Sequence, residues 1–227
     1  MDNEDALRAL GIGDTSYLVN LPVDLSKGSS KLADPDAAKA LEALSKRAQK
    51  AGFELGVCSA YRSYNDQLCI VQGKFDGSRA VLDADEKPLD ISKLSVAEKV
   101  AAVLRFSALP GFSRHHFGTD FDIYASNRLP CGQKLQLTCR EYAYGSYFFE
   151  FGEFLKENLA EFGFIRPFSG LGFVAAEPWH ISYFPKAERM VASFDDKLAL
   201  LKLKQTEVYW ADAACEFVKK HRSEFFS

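Results

Sequence analysis

Histidine constrains this 227-residue chain most, because the sequence contains only 4 histidines and three of them lie in two short, aromatic-rich stretches. The first stretch is SRHHFGTDFD, residues 113–122, and the second is EPWHISY, residues 177–183. Both stretches also carry carboxylates, and imidazole nitrogens and carboxylate oxygens bind zinc at about 2.0–2.2 Å. A metal site that uses both stretches requires a fold that brings these distant segments together.

The first stretch has the local geometry that such a site needs. The alternation in TDFDIYA predicts a strand from Thr119 to Tyr124, which places the carboxylates of Asp120 and Asp122 on one face. Gly118 precedes this strand and permits a turn that folds the His115 imidazole back over the same face. The first stretch therefore offers an imidazole and a carboxylate to one metal ion.

The second stretch offers a third ligand. Pro178 excludes a helix interior, so EPWH is expected at a strand entry or a tight turn that presents Glu177 and His180 together. Three protein ligands leave one position for water, whose pKa zinc lowers to about 7, and a nearby carboxylate can take its proton. The alternative is an ordinary core histidine beside turn carboxylates, and spacing alone favours the metal site only modestly.

Composition narrows the classes of protein to consider. Hydrophobic residues make up 47% and charged residues 26% of the chain, as in ordinary globular proteins. The net charge of −3 is too close to balance to predict binding to nucleic acid or to an anionic membrane. The acidic start MDNEDALRALGIGD does not have the pattern of a signal peptide, and we expect no transmembrane segment.

Helical and extended patterns alternate without a regular βαβ repeat, which predicts an α+β fold. Helices are predicted at 35–52, 65–75, from 95 to before 110, and at 146–162, with two more helical patterns between about 186 and 225. Extended segments are predicted at 53–63, 119–124 and 172–184, and a long loop at 125–145. We expect an irregular lead-in at 1–34, a main domain at 35–185 and a helical extension at 186–227 packed on that domain.

The five cysteines are Cys58, Cys69, Cys131, Cys139 and Cys215. None forms a CxxC pair, so the sequence does not predict a thiolate zinc site. Cys131 and Cys139 flank GQKLQLT and could close a small disulfide loop in an oxidising compartment. Five free thiols are the equal alternative.

Three motifs in order give a family resemblance: SAYRSYNDQ at 59–67, SRHHFGTDFD at 113–122 and EPWHISY at 177–183. They resemble the YRSxxxQ, SxHxxGxxxD and ExWH motifs of zinc D-alanyl-D-alanine carboxypeptidases of the vancomycin-resistance type. The related L,D-carboxypeptidases, D,D-dipeptidases and the hedgehog signalling domain share this pattern. The resemblance covers residues of about 50–184 and implies a small, mostly antiparallel sheet, flanked by helices, that carries a zinc site.

The resemblance implies a role for each matching residue. His115, Asp122 and His180 would bind one Zn²⁺ per chain. Glu177 would be the base that deprotonates the attacking water and then the acid that protonates the leaving amine. Arg62 would stabilise the oxyanion or bind a substrate carboxylate, since a guanidinium is always charged; its alternative is a surface ion pair.

Gln67, Ser113 and Tyr61 are further candidates for contact with substrate. For Gln67 and Ser113, a local capping role is an equal alternative. Asp120 stands where the family often has a small residue, and it is expected either to orient a metal ligand or to bind a substrate amine. His116 is expected to point away from the metal, where it packs or touches substrate.

Two other expectations concern the surroundings of the site. Tyr61, Phe117 and Trp179 are candidates for the pocket wall, with core packing as the alternative. The family usually has an arginine where this chain has Ser182, which puts any substrate contact of that arginine in doubt.

The resemblance implies hydrolysis of the C-terminal D-Ala-D-Ala bond of a peptidoglycan stem peptide, with release of D-alanine. The alternatives are an L,D-carboxypeptidase acting on tetrapeptide stems, a D,D-dipeptidase, or a zinc-bearing binding module without catalysis. The presence of both Glu177 and Arg62 favours an enzyme. We expect the cell envelope or periplasm if a signal peptide has been removed, with the cytoplasm as the alternative.

Overall fold

The computed structural model describes residues 3–226 and has the predicted α+β architecture. The helices of the described chain are α1 (Asn3–Ala9), α2 (Val23–Ser26), α3 (Pro35–Lys50), α4 (Tyr64–Phe75), α5 (Val96–Leu104), α6 (Cys139–Tyr142), α7 (Phe149–Asn158), α8 (Phe184–Ala192), α9 (Asp196–Lys204) and α10 (Ala211–Phe225). Its strands are β1 (Val19–Asn20), β2 (Leu32–Ala33), β3 (Leu55–Ser59), β4 (Asp120–Ala125), β5 (Phe164–Ile165) and β6 (His180–Tyr183). Short 3₁₀ turns cover Arg114–Phe117, Ser126–Arg128 and Leu159–Phe162.

The best-predicted helices have clear start signals in the sequence. The Asp34 side chain accepts hydrogen bonds from two backbone N–H groups at the start of α3, with Pro35 in the first turn. Ser63 and Asp66 form a reciprocal capping box on α4, and Ser95 and Glu98 form another on α5. These caps fix where the helices begin, so the starts of these helices could be predicted closely from the sequence.

Several predicted segments differ from the structure. Residues 172–184 were predicted to form one or two strands, but only His180–Tyr183 is a strand, because the N–H groups of Ala175 and Glu177 bond to Arg105 O and Phe168 O and Pro178 has no N–H to donate. The predicted helix at 146–162 begins at Phe149 and ends in a 3₁₀ turn, and the predicted loop at 125–145 contains α6.

The two ends of the described chain also carry more structure than predicted. Three helices, rather than two, follow residue 183, because the Asp195 side chain caps the start of α9 and separates it from α8. The segment expected to be irregular before residue 35 contains α1, α2 and the β1–β2 pair. The proposed domain boundaries at 34 and 185 stay a prediction.

The main sheet has the order β3-β4-β6-β5, and every neighbouring pair is antiparallel. In the β4–β6 register, Asp122 lies opposite His180 and Asp120 lies opposite Ser182. Alternation along these two strands therefore gathers four polar side chains on one face. Phe121, Ile123 and Ile181 point to the other face and are fully buried.

Two hydrophobic cores flank the polar face. The sheet core packs the apolar face of the sheet against α3 and α7, with Leu41, Leu44, Phe148, Phe151 and Leu155 among its buried residues. The helical core joins residues from α1, α4, α5 and the three C-terminal helices, including Val103, Phe117, Trp210, Val218 and Phe225. The polar face of β4 and β6 lies at the boundary between these cores.

Backbone hydrogen bonds tie the first part of the chain to the motif segments. Gly11 O accepts from Tyr64 N at 2.8 Å, and Leu32 O accepts from Tyr61 N at 3.0 Å. Gly118 O accepts from Asp34 N at 2.8 Å, and Gly118 itself has a φ of +72°. A Cβ there would lie 2.9 Å from a Leu18 methyl carbon, so the turn before β4 requires glycine.

All five cysteines are free thiols in the structure, so Cys131 and Cys139 do not form the disulfide considered from the sequence. The Cys139 thiol instead donates to the carbonyl of Ala176 at 3.2 Å. Within residues 3–226, the structure has no helix that is long and apolar enough to cross a membrane.

Candidate active site

His180 lies between the two carboxylates of β4. Its Nε2–H donates to Asp120 Oδ1 at 3.0 Å, and its Nδ1 lies 3.2 Å from Asp122 Oδ1. Because Nε2–H donates to Asp120, Nδ1 is the ring nitrogen that faces Asp122. Burial opposes protonation of His180, but its contacts with Asp120, Asp122 and Glu177 outweigh burial and raise the pKa of His180 well above its usual value, so a metal ion at Nδ1 would displace a proton.

His115 approaches Asp122 from the 3₁₀ turn before β4. Its Nδ1–H donates to the carbonyl of Ala60 at 2.9 Å, which leaves the Nε2 lone pair 3.2 Å from Asp122 Oδ2. A bulge in β3 between Val57 and Ser59 precedes Ala60, where the chain leaves the sheet. Burial and the nearby Arg62 charge lower the pKa of His115, so this imidazole is neutral.

These three side chains form a group suited to a metal ion. One ligand atom from each of His115, Asp122 and His180 lies within 4.8 Å of the others, and all three residues are buried. Among the described residues, the buried Asp122 Oδ1 makes no hydrogen bond of good geometry, and its neighbour His180 Nδ1 lies 3.2 Å away, so a cation at this position would satisfy the oxygen. Burial raises the pKa of Asp122, but the two histidines reverse this and hold it well below its usual value.

The His115 lone pair, the His180 Nδ1 after loss of its proton, and an ionised carboxylate fit the donor set that zinc prefers, with a position left for water. The residues present therefore suit the ion that the sequence implies. The assignment of His115, Asp122 and His180 as its ligands remains a prediction.

Asp120 is fully buried and holds His180 from behind. Its Oδ1 also accepts from Arg114 Nε at 2.8 Å, and its Oδ2 accepts from the hydroxyls of Thr119 at 2.7 Å and Ser182 at 3.1 Å. Arg114 Nη2 donates to Ser182 Oγ at 2.7 Å. With both oxygens occupied, Asp120 has no capacity for a substrate amine, so the geometry favours the orienting role of the two predicted ones.

Arg62 and Glu177 flank the metal group on the cavity side. Glu177 Oε2 lies 3.4 Å from His180 Nδ1, and its side chain is 13% exposed. Arg62 donates to Gln67 Oε1 at 2.7 Å and lies 3.4 Å from Asp122 Oδ2. Gln67 thus supports Arg62, and Arg62 carries a fixed positive charge beside the metal group.

A cavity of about 60 Å³ opens beside Arg62, Glu177 and His180. It is lined by Arg62, Gln67, Leu104, Phe106, Ser107, Ala108, Ser113, Arg114, His115, Phe168, Val174, Glu177, His180 and Phe225. The candidates Arg62, Gln67, Ser113 and Glu177 therefore share one cavity with two of the predicted metal ligands. Arg62 is not the isolated surface ion pair that was its alternative.

For Phe117 and Trp179, the structure favours core packing, the alternative to a place in the pocket wall. Phe117 and Trp179 are buried in the helical core and the sheet core, respectively, and Tyr61 is not among the residues that line the cavity. Phe168 and Phe225 supply aromatic rings to the wall instead. The sequence could not identify these two rings, because they reach the cavity only through the packing of distant segments.

His116 points away from the metal group, as expected. Its Nδ1–H donates to the carbonyl of Arg62 at 2.7 Å, and its Nε2 accepts from Gly111 N at 3.0 Å. Burial lowers the pKa of His116 to about 3, so it is a neutral structural residue. It joins the Arg62 segment to the loop before the second motif.

Sequence reasoning missed Arg114, Thr119 and the carbonyl of Ala60 as parts of the site. Arg114 and Thr119 lie inside the second motif, so the motif itself was a signal for both. Ser182 lies opposite Asp120 in the β4–β6 register, and the alternation along these strands was an indirect signal for its place in the site. The Ala60 contact had no signal, because any residue supplies a backbone carbonyl.

Comparisons with known proteins identify the family of this chain. The sequence model of the VanY family, described as D-alanyl-D-alanine carboxypeptidase, matches residues 30–186. An uncharacterized protein of Haemophilus influenzae is 42% identical over 116 residues, which are 50% of this chain and 88% of that protein. The chain therefore belongs to the VanY family of D-alanyl-D-alanine carboxypeptidases.

Solved structures share the fold. A vancomycin-resistance D,D-pentapeptidase VanY variant in complex with Zn(II) is similar with a TM-score of 0.51 and 22% identity, covering 80% of this chain and 93% of that one. The LdcB LD-carboxypeptidase, solved in a study of peptidoglycan recognition, is similar with a TM-score of 0.54 and 23% identity, covering 81% and 77%. Both the D,D and the L,D types of peptidase thus occur on this fold.

Proposed function

We propose that the protein is a zinc-dependent D,D-carboxypeptidase that hydrolyses the C-terminal D-Ala-D-Ala bond of peptidoglycan stem peptides and releases D-alanine. The observation that carries the proposal is the buried Asp122 carboxylate between two imidazoles, with His180 Nδ1 beside Oδ1 and His115 Nε2 beside Oδ2, and with Glu177 and Arg62 on the cavity side. Membership of the VanY family supplies the substrate class.

The residues present divide the work of peptide hydrolysis. Zinc held by His115, Asp122 and His180 would polarise the scissile carbonyl and lower the pKa of the attacking water. Glu177 takes the proton of that water and then delivers it to the leaving amine. Arg62 faces the same space and stabilises the negative charge that develops on the carbonyl oxygen.

The size of the cavity favours a small terminal residue. One water needs roughly 10–15 Å³ of cavity, so this space holds about five water-sized groups. That capacity is close to the size of an alanine and far below the size of an extended peptide. The proposal therefore places the terminal D-Ala in the cavity and the rest of the stem peptide outside it.

The L,D-carboxypeptidase alternative uses the same residues and differs only in the peptide that it accepts. A zinc-bearing binding module, the alternative from another class, requires neither Glu177 nor Arg62, yet both face the cavity.

We extend the proposal to location: because the substrate is a stem peptide, the protein works where stem peptides are met, in the cell envelope.

The test combines bound metal with product analysis. The purified protein is loaded with zinc, its metal content is measured, and it is incubated with muropeptide pentapeptides and tetrapeptides while products are followed by mass. One zinc per chain and loss of one D-Ala from the pentapeptide supports the proposal. Cleavage of the tetrapeptide alone supports the L,D-carboxypeptidase, and zinc binding without cleavage of either peptide supports a binding module or a dipeptidase.

A further inference from the structure

The segment 168–177, which we name the cavity loop, carries one wall of the cavity. Its two ends are joined, because Phe168 O accepts from Glu177 N at 3.2 Å. The Phe168 ring packs edge-on against His180, with the ring centroids 4.9 Å apart, and Phe168 and Val174 both line the cavity. The position of the cavity loop therefore sets the shape of the space beside the predicted metal group.

Helix α10 holds the middle of the cavity loop. The Glu224 carboxylate accepts a hydrogen bond from Phe173 N. Among the described residues, Glu224 is the side chain outside the loop that hydrogen-bonds to residues 169–174. The Phe173 ring also packs against Phe217 of the same helix, with the ring centroids 4.7 Å apart. The loop is thus docked on α10 through one carboxylate and one aromatic pair.

His221 orients this carboxylate. Its φ of −115° and ψ of 16° are not helical, so α10 bends at this residue. His221 Nδ1–H donates to Glu224 Oε1 at 2.8 Å, which leaves Oε2 for Phe173 N. Burial raises the pKa of Glu224, but the contacts with His221 and Phe173 N outweigh burial and lower it, so the carboxylate is ionised at neutral pH. An ionised acceptor strengthens the hydrogen bond to the loop.

Gly172 lets the loop and the carboxylate approach each other closely. A Cβ at this position would overlap with Glu224 Oε2 and would lie 2.9 Å from Glu224 Cδ. The three atoms nearest to such a Cβ all belong to Glu224, and Gly172 does not have a positive φ. An alanine at position 172 therefore suits the backbone but displaces the carboxylate from Phe173 N.

We infer that Glu224 is a positioning residue for the cavity wall: it holds the cavity loop where Phe168 and Val174 contact the terminal residue of the substrate. The inference rests on the proposed function, which places that residue in the cavity. Glu224 lies outside residues 30–186, which match the family, so this contact is not part of the shared motifs. Loss of the contact releases the wall but leaves the bond between Phe168 O and Glu177 N, so the defect falls on substrate binding more than on turnover.

The experiment breaks the contact from both sides. Zinc-loaded wild type, Glu224→Ala, Gly172→Ala and the double variant are assayed for kcat and KM on a muropeptide pentapeptide, with the tetrapeptide in parallel. Amide hydrogen exchange of residues 169–174 is measured in the same proteins without substrate. Glu224→Gln tests rescue, because glutamine keeps an oxygen that accepts from Phe173 N.

The matched control is Glu216→Ala, which removes an exposed carboxylate of α10 that pairs with Lys219. Glu216 lies on the same helix but does not line the cavity. This variant therefore measures the effect of removing a negative charge from α10 without releasing the loop.

We expect Glu224→Ala and Gly172→Ala each to raise KM by roughly 10-fold, as for loss of one charge-assisted hydrogen bond, with kcat and zinc content close to wild type. Both should speed exchange at 169–174. The double variant should be no worse than Glu224→Ala, because the alanine at position 172 then meets no carboxylate. Glu224→Gln and Glu216→Ala should stay close to wild type.

An unchanged KM or unchanged exchange at 169–174 in Glu224→Ala would overturn the inference. Additive defects in the double variant, or loss of zinc, would also overturn it, since they would indicate general loosening of the helical core. A wild type that cleaves neither peptide overturns the proposed function and this inference with it. The exchange data would then still show whether Glu224 holds the loop.

Discussion

The sheet core and the helical core meet at the cavity, but they contribute different kinds of side chain to this region. The sheet side supplies Asp122 and His180 from paired positions of β4 and β6, so backbone hydrogen bonds set their spacing. The helical side supplies Leu104, Val174 and Phe225, whose positions depend on packing alone. The comparison shows that hydrogen-bonded strands position the side chains proposed for the chemistry. The shape of the cavity depends instead on elements that vary more easily.

The adjacent histidines His115 and His116 differ in the same way, since one faces the predicted metal group and the other packs away from it. Substituting them should give the largest difference in zinc binding and turnover. His115→Ala should lose zinc and all measurable turnover, because it removes a predicted ligand of a three-ligand site. His116→Asn is the matched control, since it changes the neighbouring imidazole, which bonds to Arg62 O and Gly111 N and points away from the metal group. Metal content and turnover are measured on both. Full zinc occupancy in His115→Ala would remove this residue from the ligand set.

Removing the proposed base should separate catalysis from metal binding. Glu177→Ala should keep its zinc and lose turnover by about 10²–10⁴-fold, which is the usual contribution of a general base. Circular dichroism and metal analysis establish that the variant is folded and loaded. Turnover at the wild-type level would show that another group takes the proton.

Sequence reasoning reached the sheet side of the site because its information is local. Alternation in TDFDIYA placed Asp120 and Asp122 on one face, and the register of β4 with β6 brings His180 to the same face. The glycine turn at 118 could also be predicted from the residue type. Each of these features depends on neighbours in one strand or turn.

The helical side could not be predicted in the same way. Phe168 and Phe225 reach the cavity wall only because distant segments pack where they do, and no spacing in the sequence predicts this. The extended segment predicted at 172–184 was too long for a related reason: its apolar residues suggested pairing, but the backbone before Pro178 bonds to Arg105 and Phe168 outside the sheet. Tertiary packing decides such positions, and local patterns do not encode it.

The buried Asp120 tests how far the sheet side depends on its supports. Asp120→Asn keeps the shape but weakens the bond to His180 Nε2, so the zinc dissociation constant should rise about 10–100-fold. The constant is measured by competition with a chelator, with Asp90→Asn, at an exposed position, as the control. An unchanged constant would mean that Arg114 and the sheet register hold the site without this carboxylate.

Phe225 tests the helical side, where the effect should be smallest and should fall on specificity. Phe225 is 2% exposed and contributes its ring to the cavity wall, although it lies beyond the residues that match the family. Phe225→Ala should enlarge the space for the terminal residue and raise kcat/KM for a peptide ending in D-Leu, relative to D-Ala, by about 10-fold.

Phe226→Ala is the matched control, because Phe226 packs on Phe117 and Phe194 and does not line the cavity. Both variants lose a large buried ring, so both should lose comparable stability, about 3–5 kcal/mol, in denaturant unfolding. A change of preference in Phe225→Ala alone assigns the selection of the terminal residue to the C-terminal helix. The same change in both variants would mean that loosening of the helical core, rather than the shape of the wall, sets what the cavity accepts.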